Sequence, residues 1–84
     1  MGKYDGLNNY GKPKQEYIDR LAQMTDEELH IETRRMIWLS AYANNNPRSD
    51  YHWMCDATYD EWTRRGKPEG YKRAFEDEYH ANFG

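Results

Sequence analysis

Apolar residues recur at helical spacing in several stretches of the chain, and no stretch shows sustained alternation of apolar and polar positions. In the first of these stretches Tyr17, Leu21 and Met24 stand at i, i+4 and i+7, and Pro13 can occupy the first turn of a helix. This spacing predicts a short amphipathic helix over residues 13–23.

The next helix has the clearest start signal in the sequence, the segment "MTDEEL" at residues 24–29. Thr25 can cap the helix, and Glu28 can reach back to the N–H of the cap residue. Met24 and Leu29 stand at the staple positions on either side. The acidic residues that follow Thr25 favour the positive end of the helix dipole. We therefore predict a helix that begins directly after Thr25.

This second helix is apolar on two sides. One side carries Leu29, Thr33, Met36, Ile37, Ser40 and Ala43, and the nearly opposite side carries Ile31, Trp38 and Tyr42. Such a helix is typically central, or it packs its own chain on one side and a partner on the other. Three asparagines then tolerate a left-handed stop, and Pro47 prevents continuation.

A third helix is predicted to begin near Pro47 or Ser49, with Asn46 or Ser49 as its cap. Its core stripe has the spacing i, i+3, i+4, i+7 and i+11 and consists of Tyr51, Met54, Cys55, Thr58 and Trp62. The pattern directs Trp53 away from this stripe. Gly66 supplies the C-terminal turn, so the helix should end at about residue 65.

Pro68 opens a fourth predicted helix, with Tyr71, Ala74, Phe75 and Tyr79 on one face and fraying expected over residues 80–84. We predict an all-α fold, a small helical bundle of three principal helices plus one short helix. Residues 1–12 contain three glycines and no period, so they are predicted to be a flexible N-terminal arm. Residues 13–84 then form a single helical domain.

The apolar composition is unusual, because the chain has no valine and only nine Leu, Ile and Phe residues in total. Aromatic residues make up 15% of the chain and the net charge is only -3, so a packed state is favoured over disorder. Since 84 residues give a marginal core, we expect a homo-oligomer.

The acidic balance weighs against a general nucleic-acid binder, and duplex DNA is not an expected partner. One cysteine excludes an internal disulfide and suits a reducing compartment. No apolar run is long enough to span a membrane, no signal-peptide core follows Met1, and Gly6 replaces the Ser or Thr that myristoylation favours. These features predict a soluble cytoplasmic protein with no membrane partner.

The junction between the second and third helices is the first candidate site. Asn44, Asn45 and Asn46 supply more hydrogen-bonding groups than a helix stop requires. Arg48 adds a planar fork suited to carboxylate or phosphate, and the start of the third helix favours anions. The alternative is that Asn and Pro merely stop one helix while Ser49 or Asp50 caps the next.

Aromatic residues near this junction form the second candidate site. Trp38, Tyr42 and Trp53 are interpreted as one aromatic patch, with Arg34 and Arg35 one turn before Trp38. Aromatic residues rimmed by arginine are typical of protein-interface hot spots and of platforms for nucleobases. The alternative is that the bundle buries all three rings.

No motif indicates catalysis, a cofactor or a metal. The segment "HWMCD" brings His52, Cys55 and Asp56 to one side of a helix, but zinc requires more ligands at recognised spacing. Cys55 lies on the predicted core stripe, where a free cysteine usually acts as a small hydrophobe. Phosphate loops, nucleophile elbows and zinc-protease signatures do not occur. We therefore expect a protein that is not an enzyme.

Residues 24–79 resemble the small accessory proteins of tailed bacteriophages. The resemblance lies in the capped second helix, in "WLSAYANNNPRSDYHW" and in "YDEWTRRGKPEGY". It implies a role in host takeover or anti-defence, in which the protein binds and disables a host factor, including restriction or CRISPR machinery, or sequesters a nucleotide immune signal.

The expected function is therefore inhibition of a host defence factor by direct protein–protein interaction. One alternative is a sponge that sequesters a nucleotide immune signal by aromatic stacking and arginine–phosphate contacts. A second is a small phage regulatory protein that contacts nucleic acid through a basic group comprising Arg64, Arg65, Lys67, Lys72 and Arg73.

Overall fold

The computed structural model describes residue 4, residues 6–42 and residues 49–83, with only the backbone of Tyr42. These ranges contain four α-helices, α1 (Gln15–Gln23), α2 (Asp26–Ile37), α3 (Asp50–Arg64) and α4 (Glu69–Phe83), and one π-helix, Trp38–Tyr42. The predicted all-α bundle is confirmed, and α1 is the short helix. Helix α2 packs against both α3 and α4, and α1 packs against α3.

The start of α2 is the predicted capping box. The Glu28 N–H donates to the Thr25 hydroxyl over 3.1 Å, and the Thr25 N–H donates to the Glu28 carboxylate over 2.9 Å. This reciprocal pair satisfies two N–H groups that the first helical turn would leave unbonded. The segment "MTDEEL" therefore fixes the start of α2 as predicted.

The end of α2 differs from the prediction. The α-helix ends at Ile37, and Trp38–Tyr42 form a π-helix. A π turn holds more residues than an α turn, so the side chains beyond Ile37 are rotated from the positions that a regular period of 3.6 assigns. The periodicity analysis, which continued the α-helical stripe to Ala43, missed this change.

Helix α3 has both of its predicted ends. Ser49 is the cap, and its hydroxyl accepts a 3.2 Å hydrogen bond from the Tyr51 N–H. At the other end Gly66 adopts a φ of 74°, which favours glycine, and the N–H of Lys67 donates to the Trp62 carbonyl over 2.9 Å. This turn directs the chain into α4, which continues to Phe83 through the residues where fraying was predicted.

The core consists of two neighbouring clusters. The first joins α1, α2 and α3 through Tyr17, Leu21, Leu29, Ala57 and Trp62, and the second joins α2, α3 and α4 through Met36, Ile37, Cys55 and Ala74. Met54 and Tyr71 pack against both clusters. The predicted stripe of α3 is buried at Cys55, Thr58 and Trp62.

The face predicted for α4 is only partly inside. Ala74 is fully buried and Tyr71 half-buried, whereas Phe75 and Tyr79 are exposed. Phe75 and Tyr79 of the predicted apolar face therefore meet solvent.

Residues 6–13 form a turn closed by an isolated antiparallel bridge between Leu7 and Pro13. The Asn9 N–H donates to the Asp50 carboxylate at the start of α3, and the Tyr4 hydroxyl donates to Asp60. The described part of the predicted flexible arm therefore has specific contacts along α3.

Candidate binding surface

The exposed side of α2 carries Ile31 and Arg35, and Trp38 follows at the start of the π-helix, so the three stand at i, i+4 and i+7. We call these three residues the outer α2 face. Ile31 is 68% exposed and Trp38 is 39% exposed, while the Arg35 side chain is 65% exposed. The opposite stripe of the same helix is buried, including Leu29 and Met36. The predicted side with Leu29 and Met36 therefore builds the core. The described residues of the other predicted side, Ile31 and Trp38, meet solvent.

A groove of about 820 Å³ runs beside the outer α2 face, between α2 and α4. Its lining includes Ile31 of α2 and Trp62 of α3. Charged side chains of both signs also line it, among them Arg73 and Glu76 of α4. The groove therefore offers both apolar contact and ion pairing.

The two arginines that precede Trp38 have different roles. The Arg34 guanidinium donates to the Glu78 carboxylate over 3.0 Å and so joins α2 to α4. Arg35 lies 3.8 Å from Glu32, with most of its side chain in solvent. Of this predicted pair, Arg34 supports the fold, and Arg35 remains the accessible cation of the outer α2 face.

Trp53 belongs to the α1 side of the bundle. Its ring lies edge-on to Tyr17, with centroids 5.7 Å apart, and 6.1 Å from the ring of Tyr4. The Lys14 ammonium lies 5.2 Å from its centroid. These contacts place the Trp53 ring against α1 and the N-terminal turn.

Asp50 is held in place by the fold. Its carboxylate accepts a 2.8 Å hydrogen bond from the Trp53 indole N–H and two longer ones from the Asn9 backbone N–H. Since these bonds fix Trp53 and the N-terminal turn on α3, we assign Asp50 a structural contribution. Sequence spacing gave no signal for this contact with residue 9, which is far away along the chain.

The predicted junction site falls largely outside the described residues. This applies to Asn44, Asn45, Asn46 and Arg48, and to the side chain of Tyr42. The two ends of the junction are described, and the Ser40 hydroxyl lies 2.8 Å from His52 Nδ1. This hydrogen bond holds the π-helix against the first turn of α3.

A second, smaller cleft of about 340 Å³ lies between the N-terminal turn, α1 and α3. Its lining includes the aromatic rings of Tyr17 and Trp53 and the cations of Lys12 and Arg20. The Arg20 guanidinium lies 5.0 Å from the Tyr17 centroid, and its side chain is 59% exposed. Since Tyr17 is buried, the half-buried Trp53 ring is the one beside which a base could stack, with Lys12 and Arg20 near it for a phosphate.

The predicted basic group is partly neutralised within the fold. Arg64 and Arg65 both donate to the Glu61 carboxylate, and Arg65 and Lys67 both donate to Asp26. The hydrogen bonds from Arg64 and then Arg65 lower the pKa of Glu61. Three of the five predicted cations are therefore paired within the fold: Arg64 pairs inside α3, and Arg65 and Lys67 reach Asp26 of α2.

The residues of the "HWMCD" segment also have partners inside the protein. Cys55 is buried, its Sγ lies 3.3 Å from the Tyr71 hydroxyl, and burial raises the pKa of its thiol. His52 bonds to Ser40. No cluster of three or more His, Cys, Asp or Glu side chains suited to a metal occurs within the described residues. A thiolate nucleophile is disfavoured at Cys55, because burial stabilises the neutral thiol.

The sequence analysis omitted Ile31 from its candidate site, although it recognised that Ile31 lies opposite Leu29. The structure makes Ile31 the most exposed aliphatic side chain of α2 in the described ranges. The sequence signal for its exposure was that Ile31 lies opposite Leu29, Met36 and Ile37, which form the core side of the same helix.

Within the described residues, no helix has the length and apolar character needed to cross a membrane. Comparison with known proteins gives no match to a family model, to a curated protein or to a solved structure.

Proposed function

We propose that this chain is a non-enzymatic binding protein that docks on a host protein through the outer α2 face. The observation that carries the proposal is the exposure of Ile31 and Trp38 on a helix whose opposite side is completely buried. An exposed aliphatic residue and an indole, with Arg35 between them, have the composition of an interface hot spot.

The groove beside this face supports a protein partner. Its lining combines apolar and charged side chains, which protein interfaces also combine. A volume of about 820 Å³ is large enough for several side chains of a partner. Trp38 also lies in a π-helix, a rare element that is frequent at functional sites.

The resemblance to small phage accessory proteins supplies the biological setting of the proposal. In this setting the partner is a bacterial defence factor, such as restriction or CRISPR machinery, and the chain inhibits it by occupying its surface in the cytoplasm. No chemical step is required of the chain, which suits the burial of its one cysteine.

A phage-challenge assay tests this proposal. Bacteria that restrict a test phage are made to express the chain, and plaque formation is compared with and without it. We expect expression of the chain to raise plaque formation. We expect Ile31→Asp and Trp38→Ala to abolish the increase without changing helical content, because both side chains are exposed.

The matched control is Leu7→Asp, since Leu7 is 61% exposed but lies in the N-terminal turn. This variant should retain the increase. Equal loss in Leu7→Asp and Ile31→Asp, or full activity in Ile31→Asp, would contradict the proposal.

A second candidate function, sequestration of a nucleotide immune signal, is favoured by the cleft that Tyr17, Trp53, Lys12 and Arg20 line. A ligand that binds only the folded state raises the melting temperature by mass action. A thermal-shift screen with cyclic mono- and dinucleotides tests this candidate. Stabilisation that Arg20→Ala removes would support it, and no shift with any of them would exclude these nucleotides as ligands.

A further inference from the structure

Helix α4 carries a row of aromatic side chains that begins at Tyr71, which packs on the core, and is exposed beyond it. Tyr71, Phe75, Tyr79 and Phe83 follow one another at intervals of four residues, and Tyr59 of α3 adjoins the first of them. We call these five residues the α4 aromatic strip. Phe75, Tyr79, Phe83 and Tyr59 are 41%, 48%, 58% and 48% exposed.

The strip extends along the whole of α4, whose fifteen residues correspond to roughly 22 Å. It is built as two ring pairs with Phe75 between them. The Tyr59 and Tyr71 rings meet edge-on with centroids 5.3 Å apart, and the Tyr79 and Phe83 rings also have centroids 5.3 Å apart. The first pair joins α3 to α4 with its rings at 81°, and the second lies within α4 with its rings at 40°.

We propose that a second copy of this chain covers the α4 aromatic strip, with the two α4 helices antiparallel about a two-fold axis near Phe75. A two-fold interface requires a surface that is complementary to itself. In this arrangement the Tyr59–Tyr71 pair of one copy meets the Tyr79–Phe83 pair of the other. The two Phe75 rings meet at the axis.

Charges beside the strip fit the same arrangement. Lys72 and Glu76 are both exposed, and they lie one turn apart on the flank of α4 next to Tyr79. A two-fold axis near Phe75 reverses the order of these charges in the second copy. Lys72 of one copy then lies alongside the partner's Glu76, and the pair occurs twice in the dimer.

The area of the strip is sufficient for a dimer. Because large aromatic side chains bury about 150–250 Å² each and these are about half exposed, the strip offers roughly 400 Å² of ring surface per copy. Two copies together then bury roughly 800 Å² of ring surface. Since about 65% of a homodimer interface is apolar, the whole interface would bury roughly 1,200 Å². This is the lower end of the range for stable interfaces, so we expect dissociation on dilution.

Light scattering and sedimentation of the purified chain over a wide dilution series test the proposal without any host factor. We expect a dimer that dissociates to a monomer on dilution. Phe75→Glu should raise the dissociation constant by about thirtyfold or more, as for a hot-spot residue at the centre of an interface. Tyr79→Arg serves as the second variant, and circular dichroism establishes that both variants remain helical.

Leu7→Glu is the control, because it adds the same charge at an exposed apolar position outside the strip. It should leave the dissociation constant unchanged. A chain that is monomeric at every concentration overturns the proposal, and so does a dimer that Phe75→Glu and Tyr79→Arg leave intact. Failure here leaves the outer α2 face unaffected, since Ile31 and Trp38 are not part of the strip.

Discussion

The indole N–H of Trp62 donates a 3.0 Å hydrogen bond to the hydroxyl of Thr33, and so joins the last turn of α3 to α2. The same hydroxyl donates to the Leu29 carbonyl over 2.6 Å. Thr33 is completely buried and Trp62 nearly so. The Trp62 N–H therefore depends on the Thr33 hydroxyl as its acceptor inside the core.

Thr33→Val should lower the free energy of unfolding by about 1 to 3 kcal/mol, because it preserves the shape of the side chain but leaves the buried Trp62 N–H without an acceptor. Chemical denaturation monitored by tryptophan fluorescence measures this. Thr63→Val is the matched control: its hydroxyl bonds to the Tyr59 carbonyl in the same way, but it is exposed, so the change should stay within about 0.5 kcal/mol. An equal loss of unfolding free energy in Thr33→Val and Thr63→Val would contradict the role of the Thr33 hydroxyl as the acceptor for Trp62.

Gly70→Ala should destabilise the protein by about 1 to 3 kcal/mol, although alanine normally stabilises a helix relative to glycine. A Cβ atom at Gly70 would lie 2.5 Å from Cδ2 of the Trp62 ring, too close for any real contact. The thermal unfolding of Gly70→Ala, Trp62→Leu and the double variant forms the test. The penalty for the methyl group should shrink in the Trp62→Leu background, and a constant penalty would rule out the ring as its cause.

Arg65→Lys should cost about 2 kcal/mol, because lysine cannot reproduce the fork of the guanidinium. The Arg65 side chain is 14% exposed and donates to the Leu21 and Met24 carbonyls, to Asp26 and to Glu61. Arg64→Lys is the control in the same helical turn, since Arg64 is 62% exposed and should lose no more than about 0.5 kcal/mol. Denaturant titration measures the free energy of unfolding of both variants. Equal losses would mean that Arg65 acts only as a surface charge and not through the hydrogen bonds of its guanidinium.

Acid should destabilise the fold through Glu61 and Asp26. Hydrogen bonds, chiefly from Arg64 to Glu61 and from Lys67 to Asp26, lower the pKa of each carboxyl below its ordinary value of 4.5 or 3.8. A carboxyl with a lowered pKa contributes stability above its unfolded pKa, and that stability is lost as the pH falls through the folded pKa. Melting temperatures should therefore decrease below about pH 4.5.

Glu61→Gln provides the test of that pH dependence. Removing the carboxyl should lower the melting temperature at neutral pH and flatten its decrease in acid. An acid profile as steep as that of the unchanged protein would assign the effect to other groups.

Local signals in the sequence were sufficient for most of the fold. The capping box at Thr25, the cap at Ser49 and the glycine turn at Gly66 each depend on neighbours within a few residues, and each occurs as predicted. The α3 stripe was equally readable, because Cys55, Thr58 and Trp62 repeat with the helical period.

Features that depend on distant residues or on irregular backbone geometry could not be predicted from the sequence. The π-helix at Trp38–Tyr42 interrupts a period that the sequence itself continues. The sequence also has no local signal for the contacts of Trp53 with Tyr17 and Tyr4, because they depend on how α1 and the N-terminal turn fold back. Periodicity also cannot show which residues of the apolar side of α4 are covered by other helices. Ala74 and Phe75 are neighbours in the sequence, but Ala74 is buried and Phe75 is exposed.

The most direct test of the central proposal, that the outer α2 face binds a host protein, is site-specific photo-crosslinking in bacterial cells. A benzophenone amino acid replaces Ile31 in one variant and Phe75 in another, and the crosslinked products are compared. The account predicts a host protein joined at position 31 and a second copy of the chain joined at position 75. A host protein joined at position 75 and none at position 31 would contradict it.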